Sequence, residues 1–239
     1  MNLKRCASRS ITCGACRPCY PRPMRPDPRD LLPRLERLYT AVVSDCLDRL
    51  GVRDKAMRPD IRPLAPGMQV CGVAATVLAH EVQSIPGEPY IRELEAVDRL
   101  RRDDVLLVSR VEGCFFGELL ATASRARGAR GVVLDCWTRD TRRLLDMGFP
   151  AFVRGISPLD SLGRIDVAAL QVPIVCGGVL VHPGDLVLGD LDGVVVVPQA
   201  VAEEAVARAE EKVRGENTVR DVLAGGASVV ETFRKYGVI

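Results

Sequence analysis

Histidine is nearly missing from this chain: His80 and His182 are the only two among 239 residues. No HExxH and no clustered His/Cys set accompanies them, so a catalytic zinc centre is not expected, and His182 before Pro183 reads as a turn residue. Glycine-framed motifs are missing too. There is no GxSxG for a serine hydrolase, and no GxGxxG after a strand for a dinucleotide or a Rossmann-type methyl donor. Charged residues interrupt every apolar run before it reaches the roughly 18 to 20 residues that cross a bilayer, so the chain reads as soluble and cytoplasmic.

Aromatic residues are scarce at 4%, and Val, Leu, Ala and Gly supply most of the 47% apolar content. That composition suits an α/β interior in which backbones approach closely. Acid is lacking from residues 1 to 25, which carry Lys4, Arg5, Arg9, Arg17, Arg22 and Arg25; setting those six aside takes the net charge from +2 to −4 for the remainder. A mildly acidic body argues against nucleic acid as the main partner. Four of the nine cysteines, Cys6, Cys13, Cys16 and Cys19, lie in the same basic segment. Its "CGACRPC" has metal-site spacing but no distant fourth ligand, so residues 1–27 read as a disordered leader before a single domain over 28–239. The other five cysteines are scattered singly on apolar segments, as reduced core residues are.

From Pro28 the spacing of Leu31, Leu35, Leu38, Val42, Cys46 and Leu50 predicts one amphipathic helix stopped by Gly51. A proline-rich turn then leads to a buried strand at "VCGVAATVLA", and residues 88–101 read as a helix with Ile91, Leu94, Val97 and Leu100 on one side. Next come a strand at "VLLVS", a glycine loop opening a helix to about Arg127, a strand at "VVLD", a helix over 140–147 and a strand at "PAFV". This alternation predicts parallel pairing with right-handed crossovers. Beyond residue 165, short strands separated by glycine turns predict antiparallel hairpins or a barrel-like sheet, followed by a charged helix over 199–214 and two shorter helices.

Ligands of open α/β folds collect at the carboxyl ends of parallel strands. Two such ends hold complementary chemistry. In "VSRVEGCFFGELL", Gly117 lets the backbone approach a ligand, and the amides near Glu118, Leu119 and Leu120 form a helix N-terminus suited to a carboxylate or a developing enolate oxygen. In "DCWTRD", Arg139 can fork onto a carboxylate and Asp140 can give a hard oxygen to Mg²⁺ or Mn²⁺. Together they suit a chelating 2-oxo acid. The same pair also fits an ordinary helix cap, Glu118 fits a first-turn acid, and Asp185, Asp190 and Asp192 fit turn chemistry.

Three stretches, "GELLATASRARGARGVVLDCWTRD", "LLDMGFPAFVRG" and "VLVHPGDLVLGDLDGVVVVP", resemble the RraA-like family over roughly residues 30 to 215. That family includes the class II 4-hydroxy-4-methyl-2-oxoglutarate / 4-carboxy-4-hydroxy-2-oxoadipate aldolases. The resemblance implies an α/β fold of the swivelling β/β/α sandwich type, with a mixed sheet, central parallel strands and helices packed on it. It implies a homotrimer or hexamer with sites between subunits, a divalent Mg²⁺ or Mn²⁺ cofactor, and cleavage of 4-hydroxy-2-oxo diacids to pyruvate plus a 2-oxo acid. Oxaloacetate decarboxylation is the implied side activity, and a non-catalytic regulator that inhibits ribonuclease E is the alternative. Carried over, Asp140 matches the metal ligand, Arg139 the arginine on substrate oxygens, and Glu118 an acid that orients water for proton transfer. The Leu119 and Leu120 amides match the donors to the pyruvate carboxylate, and Asp45 falls near an acid reaching a neighbouring site. The family pattern continues Arg-Asp-x-x-Glu/Asp, whereas here Arg143 takes the acidic position, with Asp146 one turn on.

Overall fold

The computed structural model describes residues 27–237, so the basic leader and its four cysteines lie outside the described residues. The chain enters through a 3-10 turn at Pro28–Leu31, one helical turn α1 (Leu32–Leu35) and α2 (Thr40–Arg49). The single helix predicted from the apolar spacing is therefore broken before Thr40. Its apolar face survives the break, with Leu31, Leu35, Val42 and Cys46 buried in one core. The cause is tertiary: the Thr40 N–H and hydroxyl both donate to the Asp190 carboxylate, at 2.8 and 2.7 Å, and this starts a new helix there.

Next come β1 (Arg62–Pro63), β2 (Val70–Glu81), α3 (Ile91–Asp98), β3 (Asp104–Val108), β4 (Cys114–Phe116), α4 (Glu118–Ala126), β5 (Gly131–Thr138), α5 (Thr141–Met147) and β6 (Ala151–Ile156). Strands β6, β5, β3 and β2 pair in parallel in that order, as the strand–helix alternation predicts. The short β4 falls in a stretch read as loop; three residues are too few to show a period, and it forms by pairing with the end of β5. On α3, Val97 is buried with Leu100 just beyond the helix, while Ile91 and Leu94 stay exposed, so its core face is half of what the spacing suggests.

The remainder is antiparallel, as expected. β7 (Ile165–Leu170) pairs with β2, β8 (Ile174–Cys176) with β9 (Val179–Val181), and β10 (Leu186–Asp190) joins β11 (Gly193–Val197) to β2. The β8–β9 turn is Gly177-Gly178 with φ of 58° and 81°, the two positive values that a tight type I′ hairpin requires. The Ala56 stretch bridges to Val195 of β11 while β1 pairs with β6, so one segment nearly closes the sheet. Two helices end the described chain: α6 (Ala202–Ala224), longer than predicted, and α7 (Val229–Tyr236), where two short helices were expected.

Alternation along the strands sorts side chains between cores. Ala74, Val105, Leu107, Val133, Phe152, Val187 and Val196 point inward onto the β8–β9 hairpin. Their neighbours point outward. Ala75, Val77, Leu106, Leu134 and Val153 meet the layer of α3, α4 and α5. Cys71, Val73, Leu186, Leu188, Val195 and Val197 meet α1, α2 and α6. The fold is thus α/β, a mixed sheet with central parallel strands and helices packed on it. No helix of the described residues is long and apolar enough to cross a membrane.

Candidate active site

Parallel pairing of β4 with β5 brings their carboxyl ends together, so the two sequence motifs meet. The Arg139 N–H donates to the Phe116 carbonyl at 3.0 Å, and the Thr138 hydroxyl donates to the same oxygen at 2.8 Å. Gly117 follows in extended backbone, and a Cβ there would stand 2.6 Å from Asp140 Oδ2 and 3.2 Å from Arg139 Cγ. Close approach, rather than an unusual φ, is what calls for glycine.

Asp140 takes the left-handed conformation, φ 57° and ψ 30°, which few non-glycine residues adopt. It sits at the N-cap position of α5, yet its side chain makes no cap bond to that helix. Instead Asp140 Oδ2 accepts the Glu118 N–H at 3.1 Å, capping α4 across the strand ends. The helix-cap alternative is therefore correct in kind but applies to the neighbouring helix. The Leu119 and Leu120 amides, in the first turn of α4, lack intrahelical acceptors and carry the positive end of the helix dipole.

A pocket of about 250 Å³ opens over this junction, walled by Leu94, Phe115, Phe116, Leu119 and Leu120, with Gly117, Arg139 and Asp140 on one side. Across it stand Tyr90, Glu93, Asp160 and Ser161, which sequence reasoning missed. Arg139 Nη1 donates to Asp160 Oδ1 at 3.0 Å, and its Nε lies 3.8 Å from Asp140 Oδ2. The predicted free fork of Arg139 is thus already directed at two carboxylates of its own chain. The Tyr90 hydroxyl donates to Asp160 Oδ2 at 2.6 Å, and the Ser161 N–H donates to Oδ1 at 2.9 Å. The Tyr90 bond and the Arg139 charge hold the Asp160 carboxyl below its ordinary range. Glu93 is buried and accepts the Ser161 hydroxyl at 3.1 Å; burial pushes its carboxyl up to about 7. Asp160 follows β6, another parallel strand, so the carboxyl-edge rule could have pointed to it. Tyr90 and Glu93 carried no comparable signal.

Glu118 Oε1 accepts the Thr122 hydroxyl at 3.0 Å along its own helix, and the side chain does not line the pocket. Asp45 pairs with Lys212 on the α2–α6 layer, away from this pocket in its own chain. Arg143 is exposed, lines neither this pocket nor the cleft beyond Asp140, and makes no ion pair among the described residues. Asp185 accepts the His182 and Gln199 amides and Asp190 the Asp192 amide, as turn residues do, and Asp190 also accepts both donors of Thr40, a cap the turn reading did not include.

A divalent cation such as Mg²⁺ needs hard oxygen donors with lone pairs to spare. Among the described residues no three His, Cys, Asp or Glu side chains gather into a cage. Asp140 offers one half-exposed carboxylate whose Oδ1 has no hydrogen bond among the described residues. Mg²⁺ commonly takes one or two protein carboxylates and completes its shell with waters and substrate oxygens, so this donor set fits it.

The RraA-like family model (Aldolase/RraA) matches residues 40–196. A Halalkalibacterium halodurans protein named "Putative 4-hydroxy-4-methyl-2-oxoglutarate aldolase" is 30% identical over 186 residues, covering 77% of this chain and 83% of its own. An uncharacterized Pseudomonas syringae protein of known structure superposes with a TM-score of 0.75 at 30% identity, covering 85% of this chain and 96% of that one. Streptomyces coelicolor RraAS2, described as an unusual member of the RNase ES inhibitor RraA family, gives 0.72 at 31% identity, covering 82% and 98%. With its motifs, its sheet order and these likenesses in agreement, the chain belongs to the RraA-like family.

Proposed function

We propose that the protein is a divalent-cation-dependent carbon–carbon lyase that cleaves 4-hydroxy-2-oxo diacids to pyruvate and a second 2-oxo acid. Oxaloacetate decarboxylation is the related reaction. The observation that carries this reading is the convergence, over Gly117, of Arg139, a carboxylate with an open oxygen at Asp140 and the first-turn amides of α4. The aldolase-named relative supports it.

The Leu119 and Leu120 amides would hold the C1 carboxylate at the positive end of α4. When the C3–C4 bond breaks, its electron pair moves toward the 2-oxo oxygen while the 4-hydroxyl gives up its proton. Arg139 would donate to the oxygen where that charge collects. Asp140 would hold Mg²⁺ or Mn²⁺, which when bound supplies Lewis-acid stabilisation of the same charge. Glu118, whose carboxylate accepts the Thr122 hydroxyl outside the pocket lining, would have to turn toward the pocket to hold a water that carries the proton. The homotrimer or hexamer, with Asp45 reaching a neighbouring site, belongs to this reading, and light scattering on the eluting protein measures it.

A coupled assay for pyruvate from oxaloacetate and from 4-carboxy-4-hydroxy-2-oxoadipate, with and without Mg²⁺ or Mn²⁺, tests the proposal. Turnover above the metal-only blank is expected; none with either substrate removes it. The replacement of the family's acid by Arg143, together with the likeness to RraAS2, favours a second reading, a ribonuclease-binding regulator. A stable ribonuclease complex in the absence of pyruvate release would decide for that one.

A further inference from the structure

Arg139 and Asp140 are adjacent and oppositely charged, yet they do not form a close pair: Nε stays 3.8 Å from Oδ2. Closing that gap would add a second donor to Oδ2, which already accepts the Glu118 amide, and would set the guanidinium charge against the carboxylate that the proposed cation needs at Oδ1. What holds the guanidinium away lies across the pocket. Asp160 takes Nη1 at 3.0 Å, and Asp160 is itself fixed by the Tyr90 hydroxyl and the Ser161 amide, at 2.6 and 2.9 Å. Ser161 is fixed in turn, its hydroxyl on the buried Glu93. An isolated surface ion pair orders little, but Asp160 receives three donors in a walled pocket. Tyr90 also holds a left-handed backbone, φ 68°, to start α3. Strained backbone of this kind persists where its surroundings over-determine it, and it concentrates at functional sites.

Resting on the lyase reading, we propose that Asp160, anchored by Tyr90, is the positioning residue of the site: it pulls Arg139 off Asp140. Two consequences follow from the geometry. Asp140 keeps its charge for a cation at Oδ1, and Arg139, held through Nη1, keeps Nη2 for the substrate oxygen instead of closing as a two-pronged clamp. The C1 carboxylate is then left to the α4 amides. This division of labour selects substrates whose 2-oxo oxygen and carboxylate are recognised by different groups.

The experiment pairs pyruvate release with Mn²⁺ titration by electron paramagnetic resonance, on the wild type and on Asp160→Asn, Tyr90→Phe, Arg139→Lys and the double variants. Asp160→Asn should lower kcat about 10- to 100-fold, the scale of a lost orientation, and should also weaken Mn²⁺ binding several-fold. A merely structural role would lower the melting temperature without moving Mn²⁺ affinity. Tyr90→Phe should give a smaller loss in both readouts, and adding it to Asp160→Asn should cost nothing further. In the Arg139→Lys background the effect of Asp160→Asn on kcat should largely vanish. Wild-type kcat and Mn²⁺ affinity in Asp160→Asn, or full additivity with Arg139→Lys, overturns the proposal alone. A wild type that neither binds Mn²⁺ nor releases pyruvate removes the lyase reading, and the proposal with it.

Discussion

The two halves of the sheet each end in aspartate-bearing turns, and they use those aspartates differently. In the antiparallel half, Asp185 accepts the His182 and Gln199 amides, while Asp190 accepts both donors of Thr40 and the Asp192 amide. Their oxygens are engaged, and they stitch turns and helix starts together. In the parallel half, Asp140 accepts a single amide from a left-handed backbone and leaves one oxygen open among the described residues. Side-chain chemistry is the same in both places, so the number of donors reaching each carboxylate is what separates a structural aspartate from a candidate ligand.

The most severe way to break this contrast is Asp140→Ala. It should reduce pyruvate release about 1,000-fold or more, because an open ligand and transition-state charge stabilisation go together, and losing the α4 cap with alanine in a left-handed backbone should also cost about 1 to 2 kcal/mol of stability. Gly117→Ala comes next. Its extended φ accepts alanine, but the new Cβ would meet Asp140 Oδ2 at 2.6 Å, so activity should fall about 100-fold with the fold retained in circular dichroism. Asp190→Ala should do the reverse. Losing the cap of α2 and the turn bond should cost on the order of 2 kcal/mol in urea unfolding, with the turnover per folded molecule unchanged.

Glu93 sharpens the comparison through pH. Its folded carboxyl is raised to about 7 by burial, so its contribution is present in full below the unfolded value and is lost as pH rises toward 7. Glu93→Gln should therefore remove up to about 2 kcal/mol of the stability lost between pH 4.5 and pH 7, measured by urea unfolding across that range. Arg143→Glu should show the smallest effect. The side chain is exposed, so restoring the family's acid should tighten Mn²⁺ by only about two- to fivefold in a titration at physiological salt.

Parallel and antiparallel halves were legible in the chain because period, length and turn residues report them locally. The "VVLD" and "VLLVS" runs became β5 and β3, and a glycine-containing turn joins the antiparallel β10 and β11. The Arg139-Asp140 motif was legible as a strand end and the Gly117 motif as a ligand-facing loop, but β4, which brings that loop beside the end of β5, was not legible. The break before Thr40 was not: the apolar spacing continues unbroken through Leu38 to Val42, and the carboxylate that interrupts the helix comes from Asp190, 150 residues away. The same holds for the far wall of the pocket. Tyr90 and Asp160 are 70 residues apart and belong to no motif, and only the packing of α3 beside the loop after β6 makes them partners.

From sequence alone came the α/β alternation, the family, and the residue types available at the strand ends, because these depend on local period and on ordered motifs. Tertiary structure alone decided which of the eligible aspartates keeps an open oxygen and which way Arg139 faces. Both are set by donors that arrive from distant segments, and a hydrogen bond across the sheet leaves no periodic trace in the chain.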